Sequence, residues 1–152
     1  LRLLVEPALA AKAAAQAEPN EVKGLRRAAL AGGAGTEITA AANRLDMVYD
    51  ATFHAMVADL AGNQMICDML TRLRSHLHTF RLYYHAGLHS VTKNEHLAVV
   101  DAVARKDPDG AEEAMRAHLV SALERLETFV DGGSANAEAG LIPKVTAGRV
   151  KE

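Results

Sequence analysis

The sequence predicts an all-α fold, an antiparallel helical bundle of about six to seven helices, and three observations carry that prediction. Apolar residues recur at three- and four-residue intervals in one stretch after another, the spacing of a helix with one buried face. Hydrophobic residues make up 49% of the chain but aromatics only 4%, with no tryptophan, so the core must be built from Ala, Leu, Val and Met. Those residues favour close-packed helices over strands. Glycines and prolines sit between the periodic stretches, where they stop and restart helices. At 152 residues the chain is long enough for one domain with a real core.

The elements follow in order. The first helix spans about Leu1 to Ala17, with Pro7 in its first turn or kinking it, because proline has no N–H and crowds the preceding turn. The second runs from about Asn20 to Ala31 and stops at Gly32-Gly33, with Gly35 still in the loop. Thr36 is a good N-cap for a third helix reaching about Ala61, which Gly62 ends. Asn63 caps the fourth, which carries Ile66, Leu70, Leu73, Leu77 and Phe80 on one face and extends to about Ala86. The fifth covers about Val91 to Lys106. Asp107-Pro108 is a stop and a restart together, Asp as N-cap and Pro at the first helical position. The sixth helix then carries Met115, Leu119, Ala122 and Leu126 on one stripe to about Val130, and Asp131-Gly132-Gly133 ends it. The domain is therefore expected to occupy residues 1–130, with 131–152 a mobile tail of small residues without periodicity.

Net charge is −2, which offers no basic surface for nucleic acid. No apolar run reaches membrane-spanning length, and no cationic leader precedes an apolar stretch. The single Cys67 forms no internal disulfide and reads as a small buried apolar residue; a cytoplasmic location is expected. Leu1 has no Met before it and already lies in a helical pattern, so a fragment of a longer protein is expected.

Four residues carry the chemistry: Asp50 and His54 in YDATFH, His96 in NEHLAVVDA and His118 in MRAHLVSAL. Three neutral imidazoles and one carboxylate make a donor set for a divalent metal that leaves room for outside ligands. Asp50 and His54 are four apart and share a helical face. His96 lies 11 residues before Asp107 and His118 lies 11 after it. At about 1.5 Å of rise per residue both are roughly 16 Å from the turn, so an antiparallel pair sets them level. Val99, Val100 and Val103 share a face with His96, and Met115 and Leu119 share one with His118, so the imidazoles turn inward with their apolar neighbours. By the same counting from Gly62, Asp50 lies 12 residues before the hinge and Arg74 12 after it, which brings Arg74 toward the cavity as a two-pronged carboxylate binder.

Plainer readings stand beside these. A histidine on an apolar face is commonly a satisfied core residue. Asp46, one turn before Asp50, is an alternative carboxylate or a second-shell partner, with a solvated surface position the simpler reading. His85 and His89 are also four apart, but Gly87 lies between them; with His76 and His78 they read as an exposed or interface surface rather than a metal site. Glu95 adjoins His96, and helix neighbours diverge by about 100°, so it is expected to face away.

Taken in order, these segments resemble the FCD domain, the C-terminal effector-binding domain of the FadR subfamily of GntR transcription regulators. The resemblance rests on R-x3-E at Arg2 and Glu6, D-x2-F-H at Asp50, Phe53 and His54, A-G-N at Ala61, Gly62 and Asn63, and E-H at Glu95 and His96. It continues through Asp107, Ala111 and Met115 to H-L at His118 and Leu119, covering about residues 1–130. It implies an antiparallel bundle of the metal-containing branch, with Asp50, His54, His96 and His118 as ligands and a small organic acid completing the coordination. It also implies a homodimer whose upstream winged helix-turn-helix domain, absent from this chain, provides all DNA binding.

The expected function is ligand sensing rather than catalysis. A divalent metal, zinc first with nickel, manganese or iron open, receives the acid, while Arg74 and, more weakly, Arg2 neutralise its charge. For Arg2 a salt bridge to Glu6 one turn on is the plain alternative. Two rivals share the metal: an enzyme acting on a small carboxylate, which lacks a convincing acid or base beyond the ligands, and a dimerisation module whose metal only stabilises the fold. A carboxylate-bridged diiron bundle is weaker still, since no Glu-x-x-His pair occurs.

Overall fold

The computed structural model describes residues 1–31, 40–72 and 89–138, with backbone alone at 40–47, 89–90, 126 and 129–138. The architecture is an all-α helical bundle. Helix α1 is Arg2–Gln16, α2 is Pro19–Ala31, α3 is Ala40–Leu60, α5 is His89–Ala104 and α6 is Pro108–Glu138; helical turns over 64–72 form α4. α1 lies along α6, α5 packs on α6, and α2 bridges α3 and α5.

Small side chains set how closely these helices approach. Ala10, Ala13, Ala14 and Ala17 are fully buried at helical spacing on one side of α1. They meet Leu25 and Ala29 of α2, Phe53, Val57 and Ala58 of α3, Val99, Val100 and Val103 of α5, and Ala111, Met115 and Leu119 of α6 in one continuous core. The α5 and α6 faces expected to turn inward do so. α1 runs on through Pro7, which lies buried past the first turn, so the chain gives up one N–H there without ending the helix.

The turns follow the expected chemistry. Gly62 takes φ +68° after α3, a left-handed conformation that suits glycine. The side-chain oxygen of Asn63 accepts the Ile66 N–H at 3.2 Å and caps α4. α5 ends with Lys106 at φ 57°, while the Asp107 N–H donates to the Ala102 carbonyl at 3.0 Å. Asp107 Oδ1 then accepts the Gly110 N–H at 2.9 Å, with Pro108 opening α6. The Lys106 ammonium reaches across to the Ala17 carbonyl, tying this turn to the end of α1.

Two boundaries differ from expectation. α5 already includes His89, ahead of the expected start near Val91. α6 does not stop at Asp131-Gly132-Gly133 but continues to Glu138, so helix crosses the expected boundary between domain and mobile tail. Glycine in a helix interior costs about 1 kcal/mol relative to alanine, a penalty rather than a prohibition, and no proline follows until Pro143. The capping role of Thr36 and the fourth helix beyond residue 72 lie outside the described residues, as does 139–152. Cys67 is half-buried rather than buried.

The packing predicts a contrast. Leu25 is fully buried whereas Leu4 is 81% exposed. Leu25→Ala is expected to lower unfolding stability by about 2–5 kcal/mol and Leu4→Ala by less than about 0.5 kcal/mol, measured as the shift in urea midpoint.

Candidate metal centre

α3 contributes Asp50 and His54, α5 contributes His96 and α6 contributes His118. One ligating atom from each lies within 4.8 Å of those of the other three. The levelling about Asp107 holds: the His96 and His118 ring centroids are 4.6 Å apart. Nε2 of His54 lies 3.1 Å from Nε2 of His118. Oδ1 of Asp50 lies 3.7 Å from Nε2 of His54 and 3.5 Å from Nε2 of His96. All three imidazoles are buried, and Phe53 stacks on His96 with centroids 3.9 Å apart.

The outward nitrogens of two rings meet carboxylates. Nδ1 of His54 is 2.5 Å from Oε2 of Glu6, and Nδ1 of His118 is 2.8 Å from Oε2 of Glu95. Arg2 pairs with Glu6 and places Nη2 3.0 Å from Nε2 of His54. Arg125 grips Glu95 with two hydrogen bonds of 2.7 and 2.8 Å.

These contacts fix where the protons are. A guanidinium only donates, so Nε2 of His54 accepts from Arg2, and the proton of the neutral ring sits on Nδ1 beside Glu6. An ionised Glu95 only accepts, so His118 also carries its proton on Nδ1. Nε2 of His118 then carries a bare lone pair 3.1 Å from Nε2 of His54, with the Arg2 guanidinium as the positive charge on the His54 side. Acceptor atoms this close favour positive charge, which Arg2 supplies at His54 and nothing among the described residues supplies at His118. A proton is a poor candidate at His118, because burial disfavours charging that ring and lowers its pKa from 6.5, with Glu95 only partly opposing. Burial lowers His96 in the same way, and its Nε2 has no hydrogen-bond partner among the described residues. Donors 2.0–2.2 Å from one ion span separations like those seen, so the residues present suit a divalent metal.

The FCD domain family profile matches residues 1–121, which contain all four of these side chains. The chain belongs to the FCD domain family. It is 31% identical over 142 residues to the HTH-type transcriptional repressor NanR of Enterobacter sp. (strain 638), covering 87% of this chain and 51% of that protein. The NanR repressor of Citrobacter rodentium is 34% identical over 86 residues, 52% of this chain and 32% of its own. Among solved structures, Streptococcus agalactiae GntR superposes with a TM-score of 0.66 at 23% identity, covering 80% of this chain and 53% of that one. That likeness speaks for the fold alone. The chain spans about half the length of these curated relatives. These relatives are named as transcriptional repressors.

The FCD domain also departs from what its sequence suggested. Glu95 does not face away; its long side chain swings across to His118 and Arg125. Glu6 is 2% exposed and was readable only as a partner of Arg2, although its flanking apolar residues mark a buried face. Arg2 makes the plain salt bridge to Glu6 and also lies 3.0 Å from Nε2 of His54. Arg74, His76, His78 and His85 lie outside the described residues, as do the side chains of Asp46 and His89.

Electrostatics sets an acid limit for this FCD domain. Burial alone would raise the pKa of Glu6, but His54 and Arg2 hold it far below the carboxylate range. Burial would likewise raise Glu95, and the bonds from His118 and Arg125 outweigh it, bringing it from 4.5 to about 2. A depressed carboxylate stabilises the fold above its ordinary pKa and loses that contribution as pH falls toward the folded value. Metal-free protein should therefore lose urea resistance between about pH 4.5 and 2, and Glu95→Gln should flatten that limb.

Proposed function

We propose that this FCD domain is the ligand-sensing part of a GntR-type regulator of the FadR subfamily, holding a divalent ion and a small organic acid. The ligands are Asp50, His54, His96 and His118. The observation that carries the reading is the convergence of one carboxylate and three buried imidazoles, each with a ligating atom within 4.8 Å of the other three. Zinc is the first choice; nickel, manganese and iron suit the same donors.

When bound, the ion supplies a Lewis-acidic point for an oxygen of an anionic ligand. The chain's own groups do the rest. Asp50 offsets part of the positive charge. Glu6 and Glu95 keep imidazole protons off the inward nitrogens. The Arg2 guanidinium, 13% exposed and next to His54, offers a charge-assisted hydrogen bond to a carboxylate entering from that side. Arg74 is a further carboxylate partner on the expectation from spacing alone.

In the whole protein the acid would favour one packing of the bundle over another. In a homodimer, that bias would change the relation between two DNA-binding domains and hence operator affinity. Relatives named HTH-type repressors support this reading. We place the protein in the cytoplasm; among the described residues no helix is long and apolar enough to cross a membrane.

The direct test is His96→Ala. Elemental analysis should show bound metal falling from about one ion per chain to near zero while circular dichroism stays helical; stoichiometric metal in the variant would refute the role of His96. Occupancy in the wild type should hold at neutral pH and fall as pH drops below the ordinary histidine value of 6.5, because protonated imidazole cannot ligate. Calorimetric titration with small di- and tricarboxylates should give heat only with metal-loaded protein. Arg2→Met should weaken that binding by roughly 1.5–3 kcal/mol, the worth of a charge-assisted hydrogen bond. A saturated structural metal predicts no heat at all, and an enzyme would return an altered acid.

A further inference from the structure

Glu95 is unlike an ordinary surface carboxylate. It starts on α5, one residue before a proposed ligand, yet it serves a different histidine on α6. Its Oε2 meets Nδ1 of His118 at 2.8 Å, and both of its oxygens are engaged by Arg125 at 2.7 and 2.8 Å. Arg125 lies seven residues after His118, two turns along the same face of α6, so one helix supplies the imidazole and the clamp while the other supplies the carboxylate. Two hydrogen bonds from a planar guanidinium fix the plane of the carboxylate as well as its position. Both partners are only about one-fifth exposed, which limits competition from water.

We propose that Glu95, held by Arg125, is the positioning residue for His118: it keeps the ring proton on Nδ1 and turns a bare Nε2 toward Asp50. This inference rests on the metal reading above. A merely structural ion pair between α5 and α6 would need neither the third contact to His118 nor its placement at the nitrogen opposite the site. A carboxylate on the far nitrogen of a ligating imidazole fixes its tautomer and orientation and raises its basicity. Nδ1 of His54 meets Glu6 in the same way, and Glu6 is itself paired with Arg2. His96 instead stacks on Phe53.

The experiment compares wild type, Glu95→Ala, Glu95→Gln and Arg125→Met in the full 152-residue chain, with Leu123→Ala as an exposed control on α6. In metal-free protein, long-range nitrogen–proton NMR of the histidine rings should show His118 as a single Nδ1–H tautomer in wild type. It should become a mixture in Glu95→Ala and stay Nδ1–H in Glu95→Gln, whose amide oxygen still accepts. In zinc competition titrations Glu95→Ala should bind about 10- to 100-fold more weakly. Glu95→Gln and Arg125→Met should fall between it and wild type, and Leu123→Ala should match wild type. If Glu95→Ala does not fold, the Arg125→Met and Glu95→Gln affinities carry the decision. An unchanged His118 tautomer in Glu95→Ala, or zinc affinities within twofold of wild type across the Glu95 and Arg125 variants, would overturn the proposal. A wild type that binds no zinc overturns the metal reading instead, while the tautomer comparison still decides what Glu95 does to His118.

Discussion

Three buried imidazoles and one carboxylate, with ligating atoms within 4.8 Å of one another, form the constraint on which this structure turns. Burial disfavours charging the His96 and His118 rings. The flanking carboxylates close the other route, because they hold the ring protons on the outward side. What remains is a concentrated acceptor site whose donor set suits a cation. The same buried polar cluster is costly to the fold unless it is satisfied, so stability and ligand chemistry are coupled in one place.

The helices around the cluster are arranged to make that cost bearable. Alanines along α1 let α6 approach closely, while the valines of α5 and the Phe53 ring wall off the site from the side. The Asp107-Pro108 turn sets α5 against α6 at the register that levels His96 with His118. Glu6 and Glu95 are held in turn by arginines, so each of these two flanking carboxylates has both an imidazole and a guanidinium beside it. The result is a polar core with an apolar surround, in which the orientation of each ring is fixed from its outer edge.

Much of this was readable from residues alone, and the parts that were not have physical reasons. The convergence of His96 and His118 follows from helix rise and one proline restart, quantities that hardly depend on context. Asp50 and His54 meet because a four-residue spacing shares a face. Glu95 escaped the same reasoning because the 100° rule describes where Cβ points, whereas three rotatable bonds and two waiting donors decided where its carboxylate went. Glu6 was hidden because an acidic residue on a helix is ordinarily solvated, and only the packing of α1 against the site turns it inward. The overrun of α6 through Gly132-Gly133 has the opposite cause. A local stop signal was weaker than the continuity of an already formed helix, since glycine weakens helical backbone without forbidding it.

The central claim is that one ion sits among Asp50, His54, His96 and His118, and an anomalous-difference map from crystals of the metal-loaded chain tests it most directly. A single peak about 2.0–2.2 Å from Oδ1 of Asp50 and from the three Nε2 atoms is the predicted result. A peak on other histidines, or none at these four residues in crystals shown to contain the metal, would contradict it.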